Sequence, residues 1–300
     1  MQKFFLWLKA IRAPFFSASL IAVLVGAAVA AGEQPVNLWA IIAALIIVVG
    51  NQAGANLIND YFDALGSDPV NFDFTPFSGG SRLIQNGVLP RRSYLLATVV
   101  AYAIGQITAI GLSIAYWNGW ILILALAGLG LGVAYSATGM FGMGRGWGEV
   151  AVGLGFGPLA VLGSYLLQTN QLSWKATFAG IPVGLLVMGI LILNEFPDYE
   201  ADRSVGKRNW IVRAGGGVRA VWIYLVTIVL AYMVILAGVF GGFFPGSILI
   251  SYFSIPLAVW IILKLWQGKT RAPEIIPALA GNIGLHFITG LLLCIGLLKH

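Results

Sequence analysis

The sequence predicts an all-α, polytopic membrane protein in which nine transmembrane helices surround a central cavity. Its mean hydropathy is +0.90, and hydrophobic residues make up 59% of its 300 residues. A soluble domain of this length cannot bury so large an apolar fraction, whereas a lipid bilayer can solvate it. Glycine is abundant, with 39 residues, as is typical of membrane helices that pack closely.

Nine apolar stretches are long enough to cross a bilayer as helices. They lie near residues 14–32, 37–58, 93–116, 119–137, 149–168, 175–194, 219–241, 246–265 and 277–298. The first has a basic start and ends AVAAG, like a secretory signal, but its apolar region is longer than a typical signal core. We therefore expect it to be a membrane helix. The single cysteine, Cys294, lies in the last stretch, so no intramolecular disulfide can form.

The placement of charged residues predicts how the helices are oriented. With a cytoplasmic N-terminus, every Lys and Arg except Lys175 and Lys299 falls on the cytoplasmic side. This bias follows the positive-inside rule, and it explains the pI of about 9.5 without nucleic acid. We expect a multi-pass protein of the cell (inner) membrane. All Asp and Glu except Glu33 also fall on the cytoplasmic side; because orientation does not require that, the acids predict a function on this face.

Two cytoplasmic segments, roughly 59–92 and 195–218, open in the same way. The second apolar stretch ends NLINDYFDALGSD and the sixth ends NEFPDYEAD, so each carries Asn-x3-Asp followed by a further Asp. The pattern recurs after two helices and again after six, which indicates a weak repeat of a four-helix unit. We expect the chain to form a single domain, 1–300. Its motifs occupy 59–68 and 194–202.

The spacing of the second motif places Asn194, Asp198 and Asp202 on one face of a helix. Carboxylates so close repel unless a cation lies between them, and oxygen-only ligands suit Mg²⁺, which proteins hold through a few carboxylates and substrate phosphates. Basic residues and glycines follow both motifs, as binding of a diphosphate requires. The alternative is a solvated loop in which these acids pair with nearby Lys and Arg. We expect Pro197 to kink or end the sixth helix.

Five stretches between about residues 11 and 213 resemble a known family. They read IRAPFFSASL, NLINDYFDALGSD, GGSRLIQNG, GRGWGEVAVGLGFGPLAVLGSYLLQT and NEFPDYEADRSVGKRNWIVRAG. The family is the UbiA superfamily of intramembrane prenyltransferases, and the likeness is greatest to its 1,4-dihydroxy-2-naphthoate branch, which serves menaquinone synthesis. The last three helices match only as apolar spans.

This resemblance implies Mg²⁺-dependent transfer of a polyprenyl group from polyprenyl diphosphate to an aromatic acceptor, 1,4-dihydroxy-2-naphthoate, whose carboxylate leaves as CO₂. It implies that Mg²⁺ and the diphosphate are held by Asn59, Asp63, Asn194, Asp198 and Asp202. Asp68 would complete the first motif, but its distance from Asp63 along the chain departs from the family pattern. Asp60 or Asp73 could therefore take its place.

The resemblance also implies substrate contacts outside the motifs. Cationic contacts to the diphosphate or the acceptor carboxylate are expected from Arg12, Arg82, Lys207, Arg208 and Arg213. Cavity-lining residues near the cytoplasmic ends of the fourth and fifth helices are expected to be Tyr135 and Glu149. Aromatic faces stabilise cations, so an allylic cation could be shielded by Tyr61, Tyr135 and Tyr199, although tyrosine is common at membrane interfaces anyway.

Two alternatives stay open on the sequence alone. A relative of the same family could use another acceptor: 4-hydroxybenzoate, 1,4-dihydroxy-6-naphthoate, a chlorophyllide, haem or a glycerol phosphate. A secondary transporter is the other class, but transporters place acids near the bilayer midplane. Here the one mid-membrane polar pair is Asn282 and His286, which we expect to hydrogen-bond to each other. The sequence indicates no protein partner and does not reveal the prenyl length.

Overall fold

The computed structural model describes residues 2–136 and 146–298, and within these residues the chain is helical and contains no β-strand. Two of the basic residues whose placement is described above, Arg145 and Lys299, lie outside them. Nine helical segments of the described chain are long and apolar enough to span a membrane, as the sequence predicts.

The helices follow the apolar stretches in order. They are α1 (Gln2–Ala10), α2 (Ser17–Ala31), α3 (Leu38–Asp63), α4 (Arg91–Ala115), α5 (Gly119–Ser136), α6 (Gly148–Leu154), α7 (Ala160–Thr169), α8 (Trp174–Ser204), α9 (Trp210–Ala214), α10 (Gly217–Phe240), α11 (Ile255–Trp266) and α12 (Ile276–Leu298). A π-helical turn, Gly155–Leu159, joins α6 to α7, and a 3₁₀ segment, Gly246–Ser254, leads into α11. Shorter 3₁₀ turns lie at Ala13–Phe16 and Asp68–Val70.

Helix α8 is the longest helix in the described chain and carries the second motif. The prediction that the sixth helix ends at Pro197 is wrong, because α8 stays helical through this residue to Ser204. Pro197 is buried, and packing by neighbouring helices lets membrane helices tolerate the lost backbone donor. Since α3 likewise continues to Asp63 and Asp68 begins the 3₁₀ turn that follows, the second motif lies wholly on a helical end and the first motif starts on one.

Close glycine contacts set the position of α6 and the π-helical turn against α8. A Cβ atom built on Gly184 would come 2.1 Å from the Gly153 carbonyl oxygen, and one built on Gly157 would come 2.5 Å from the Gly180 carbonyl oxygen. Only glycine permits helix backbones to approach so closely. The contact leaves the opposite side of α6 and α7 facing the space enclosed by α3 and α5.

Buried apolar side chains close this space at the end formed by the start of α3, the start of α5 and the end of α7. Ala44, Ile121 and Leu167 belong to a buried cluster that also includes Val23 and Ile47. Beyond the cluster, Gln168 Nε2 donates to the Asn37 carbonyl (3.0 Å), and Asn37 N donates to Gln168 Oε1 (2.8 Å). These reciprocal hydrogen bonds tie α7 to the start of α3.

The predicted hydrogen bond between Asn282 and His286 is wrong. Asn282 Oδ1 instead accepts from the Tyr224 hydroxyl at 2.8 Å, because the amide turns from α12 towards α10. Neither His286 ring nitrogen has a partner within the described part of the chain.

Candidate active site

A polar cavity lies where the C-terminal ends of α3 and α8 meet. It brings together side chains from both motifs that are far apart in the sequence: Asn59, Asp63, Asp68, Asn194, Asp198 and Asp202. Asn59 and Asp63 lie at the end of α3, and Asn194, Asp198 and Asp202 lie at the end of α8, so the four-residue spacings direct these side chains inward. The structure therefore joins both motifs in one site.

Lys207 lies between the two motifs. Its Nζ is 3.0 Å from Asp63 Oδ1 and 3.1 Å from Asp202 Oδ1, and it donates to Ser67 Oγ at 2.9 Å. Burial alone would lower the pKa of Lys207, but the Asp63 and Asp202 carboxylates raise it above its ordinary value. The ammonium is therefore a permanent positive charge shared by one carboxylate of each motif.

The segment after the first motif holds Asp198 in place. Asn71 Nδ2 donates to Asp198 Oδ1 at 2.7 Å, and the Gly79 backbone N–H donates to Asp198 Oδ2 at 3.1 Å. Gly79 and Gly80 both have left-handed φ angles, +73° and +74°, which favour glycine. A Cβ atom on Gly80 would also come 2.8 Å from Asp68 Oδ2. The Gly-Gly pair is thus required for close approach to the carboxylates.

Asp60 and Asp68 take different roles at the first motif. Asp60 Oδ1 accepts from Arg12 Nη2 at 2.6 Å and Oδ2 accepts from the Ser81 N–H at 3.0 Å, and Asp60 does not line the cavity. Asp68 does line it. Burial, followed by the nearby Asp63 and Asp60 carboxylates, raises the pKa of Asp68 to about 7. Of the alternatives for the last acid of this motif, the structure favours Asp68, since Asp73 also lies outside the lining.

Arg12 is held in a strained conformation at the edge of the site. Its φ of 54° and ψ of 48° are left-handed, which is uncommon for a residue other than glycine. Nη2 donates to Asn59 and Asp60, whereas the buried Nε has no partner among the described residues. Burial would lower the pKa of Arg12, but Asp60 raises it above its ordinary value. The guanidinium is charged and has an unused donor.

A larger, mostly apolar cavity adjoins the polar one. It contains about 1370 Å³ of space that no protein atom fills, its open mouth included, and is walled by α2, α3, α5, α6, α7 and α8. Four residues line both cavities: Arg12, Tyr135, Leu191 and Asn194. The two spaces therefore meet at a junction formed by these residues.

Several predicted contact residues lie elsewhere. Arg82 donates to the backbone carbonyls of Asp68 and Asn71 and so fastens the loop from outside the cavity. The Arg208 carbonyl accepts from Arg213 Nε at 3.0 Å. The Arg91 guanidinium lies over the Tyr61 ring, with its Cζ atom 3.7 Å from the centre of the ring. Tyr199 accepts from Arg203, its own helical neighbour. None of the predicted residues Arg82, Arg208, Arg213, Tyr61 and Tyr199 lines either cavity.

Two glutamates also face the polar cavity. Glu149, a predicted lining residue, accepts from the Trp210 backbone N–H at 2.6 Å and so ties α6 to α9. Sequence reasoning did not single out Glu195, which is 8% exposed and whose Oε2 has no partner in the described chain. Its position beside Asn194 in the motif was the available signal.

The chemistry of this lining fits a hard divalent cation. No His or Cys of residues 2–136 and 146–298 lines the polar cavity, and its anionic groups are carboxylates. Within the same ranges, no three acidic, His or Cys side chains converge on a point as a complete metal site. Mg²⁺ usually takes only one or two carboxylates from the protein and completes its shell with phosphate and water oxygens. Asp63 and Asp202, which already share the cationic Lys207, fit such a partial ligand set.

Comparison with known families gives a match over most of the chain. The model of the UbiA prenyltransferase family matches residues 19–283. The chain is 28% identical to 2-carboxy-1,4-naphthoquinone phytyltransferase of Synechocystis, over 97% of this chain and 92% of that protein. It is 25% identical to 1,4-dihydroxy-2-naphthoate octaprenyltransferase of Bacillus subtilis, over 94% of this chain and 88% of that protein.

Solved structures show the same fold. A UbiA homologue from Aeropyrum pernix aligns with a TM-score of 0.73 and 19% identity, covering 95% of this chain and 98% of the other. A UbiA homologue from Archaeoglobus fulgidus, solved with DMAPP and Mg²⁺, aligns with a TM-score of 0.65 and 18% identity, covering 96% and 98%.

Proposed function

This chain belongs to the UbiA prenyltransferase family, and we propose that it transfers a polyprenyl group from polyprenyl diphosphate to 1,4-dihydroxy-2-naphthoate, with decarboxylation, in menaquinone biosynthesis. The observation that carries the proposal is the junction at Arg12, Tyr135 and Asn194, where a carboxylate-lined cavity opens into an apolar one. A prenyl diphosphate has the same division, with a charged head joined to a hydrocarbon tail. The bond that must break lies between them.

The diphosphate belongs in the polar cavity. We assign Mg²⁺ to Asp63, Asp198 and Asp202, with Asp68 completing the first motif and Asn59 and Asn194 contributing amide groups. The Archaeoglobus homologue solved with DMAPP and Mg²⁺ supports this choice of ion. When bound, Mg²⁺ neutralises the charge that develops on the leaving diphosphate.

The protein's own cations act on the same charge. Lys207 approaches from between Asp63 and Asp202, and Arg12 approaches from the junction. As the allylic C–O bond breaks, its electron pair leaves with the diphosphate, and fixed positive charges stabilise that oxygen more in the transition state than before it. The allylic cation remains at the junction, beside the Tyr135 ring, whose face can stabilise it.

The acceptor belongs beside Arg12. The unpartnered Nε of Arg12 can donate to the carboxylate of an aromatic acid and hold the ring against the allylic carbon. A new C–C bond then forms at the ring carbon that carries the carboxylate. The carboxylate leaves as CO₂, and its bond pair restores the aromatic ring, so this step needs no proton acceptor. Exclusion of water by the helices prevents capture of the cation as an alcohol.

The names of relatives support the choice of acceptor, and charge placement supports the location of the site. The Synechocystis and Bacillus relatives are both named for naphthoate-type acceptors. The prevalence of Lys and Arg on the side of the two motifs supports a cytoplasmic site in the cell membrane.

The proposal is tested with purified protein, Mg²⁺, a prenyl diphosphate and separate aromatic acids, with products identified by mass spectrometry. We expect a prenylated, decarboxylated product from 1,4-dihydroxy-2-naphthoate and none in EDTA. Prenylation of 4-hydroxybenzoate or 1,4-dihydroxy-6-naphthoate alone would contradict the acceptor assignment. Absence of any Mg²⁺-dependent product would contradict the assignment of the site.

A further inference from the structure

We infer that the apolar cavity holds a prenyl tail of about four isoprenyl units. Ile121 and Leu167 form the closed end, or floor, of the cavity and set this length. The inference rests on the proposed function for the location of the diphosphate. It names the class of donor, a C20 prenyl diphosphate. The relatives do not decide this point, since one is named for a phytyl and another for an octaprenyl group.

The wall of the cavity is suited to hydrocarbon because its polar side chains away from the junction form hydrogen bonds within the protein. Gln52 accepts from Ser19 at 2.5 Å and donates to the Phe15 carbonyl at 3.0 Å. Asn51 donates to the Ala125 carbonyl at 3.2 Å and accepts from Gln106, and Ser164 donates to the Val23 carbonyl at 2.7 Å. The hydrogen bonds direct these polar groups into the wall.

The depth of the cavity follows from the helices that line it. On α3 the lining runs from Ala44 to Asn56, a rise of about 18 Å at 1.5 Å per residue. On α5 it runs from Ile121 to Tyr135, which is about 21 Å. An extended isoprenyl repeat contributes four backbone bonds, or about 4–5 Å by ordinary bond lengths. A tail that begins at the junction therefore reaches the floor after about four repeats.

The floor is closed by tightly packed side chains. Ile121 is 4% exposed and Leu167 is 3% exposed, although both line the cavity. Behind them the hydrogen-bonded pair of Gln168 and Asn37 joins α7 to the start of α3. A tail with more than four repeats that stays inside the cavity must therefore bend back or displace packed side chains, and tightly packed interiors resist such changes.

Gly163 offers a way to raise the floor. It lines the cavity one helical turn before Leu167, and a Cβ atom built there meets no heavy atom within 4 Å. The side chain that Gly163→Leu adds has room to project into the apolar cavity without displacing the wall. The change should shorten the cavity by about 6 Å, or about one isoprenyl repeat.

The test measures dissociation constants for prenyl diphosphates from C10 to C40 with Mg²⁺ and detergent-purified protein. We expect the tightest binding at C20, with C40 at least tenfold weaker. Gly163→Leu should move the optimum to C15, and Leu167→Ala should weaken the selection against longer tails. Gly111→Leu is the matched control, since Gly111 also has free space around its Cβ position but lies on α4, outside the cavity lining.

Equal binding of C20 and C40, or an optimum that Gly163→Leu leaves in place, would overturn the inference. Turnover with 1,4-dihydroxy-2-naphthoate is measured in parallel. A C20 optimum that shifts in Gly163→Leu, together with no turnover of that acceptor, would reject the proposed acceptor and retain the length-setting floor.

Discussion

Asn71 donates a hydrogen bond of 2.7 Å to the Asp198 carboxylate, across 127 positions of sequence. The bond joins the segment that follows the first motif to the central acid of the second. Together with the Gly79 N–H, it occupies both oxygens of Asp198 from the same segment. The position of one motif's carboxylate therefore depends on the loop that belongs to the other motif.

This relationship predicts the effect of Asn71→Ala. Partners that orient a metal-binding carboxylate contribute about 10- to 100-fold to activity or metal affinity, so we expect prenyl transfer to fall by that amount and the Mg²⁺ concentration for half-maximal rate to rise. The measurement is initial rate against Mg²⁺ concentration. Asn86→Ala, an exposed position in the same segment, is the control. An unchanged Mg²⁺ dependence in Asn71→Ala would show that the hydrogen bond does not position a metal-binding group.

Lys207→Met removes the charge shared by Asp63 and Asp202. Loss of one preorganised electrostatic contact to a leaving group costs about 10²- to 10³-fold in kcat, and we expect a loss in this range. Lys207→Arg should restore part of the rate because it restores the charge. Lys269→Met removes a charge that lies outside the cavity lining and should leave the rate unchanged. A rate in Lys207→Met within twofold of the unmodified protein would remove Lys207 from the reaction.

Tyr135 is the one tyrosine of the three predicted cation shields that lines the cavities. Cation–π contacts contribute about 0.5–2 kcal/mol, so Tyr135→Leu should lower kcat by about 2- to 30-fold, whereas Tyr135→Phe should retain most of it. Tyr61→Leu is the control, because Arg91 covers that ring. If Tyr135→Phe loses as much rate as Tyr135→Leu, the hydroxyl and not the ring face is responsible.

Gly184→Ala tests the packing that positions the cavity wall. The added methyl group would come 2.1 Å from the Gly153 carbonyl oxygen, and overpacking of this kind destabilises proteins by about 1–3 kcal/mol. We expect a lower thermal unfolding midpoint in detergent. Gly111→Ala adds the same group where no heavy atom lies within 4 Å and should leave the midpoint unchanged. Equal midpoints for both variants would contradict the inferred contact.

The membrane architecture was readable from the sequence because hydropathy alone determines which segments lipid can solvate. The second motif was readable for a similar reason, since Asn194, Asp198 and Asp202 repeat at the period of a helix face. The predicted helix end at Pro197 was wrong because a local rule predicts a break, whereas the packing of α8 lets the helix continue. Local rules fail where tertiary contacts supply the missing stabilisation.

Other parts of the site depend on contacts that no local pattern encodes. Asn71 lies in an irregular segment, and nothing near it in the sequence predicts contact with Asp198. The choice between Asp60 and Asp68 needed the Arg12 contact, which occupies Asp60. Arg82 and Tyr61 are of the residue types expected of substrate contacts. Arg82 instead donates to backbone carbonyls of the loop, and the Tyr61 ring is covered by Arg91.

We propose that the two motifs hold one Mg²⁺–diphosphate between them. This proposal is tested most directly by the binding of a non-reactive geranylgeranyl diphosphate analogue, with and without Mg²⁺, to the unmodified protein and to Asp63→Ala and Asp198→Ala. We predict Mg²⁺-dependent binding to the unmodified protein and at least a tenfold loss in each variant, with thermal unfolding midpoints unchanged. Binding to either variant as tight as to the unmodified protein, at the same Mg²⁺ concentration, would contradict a Mg²⁺–diphosphate site shared by the two motifs.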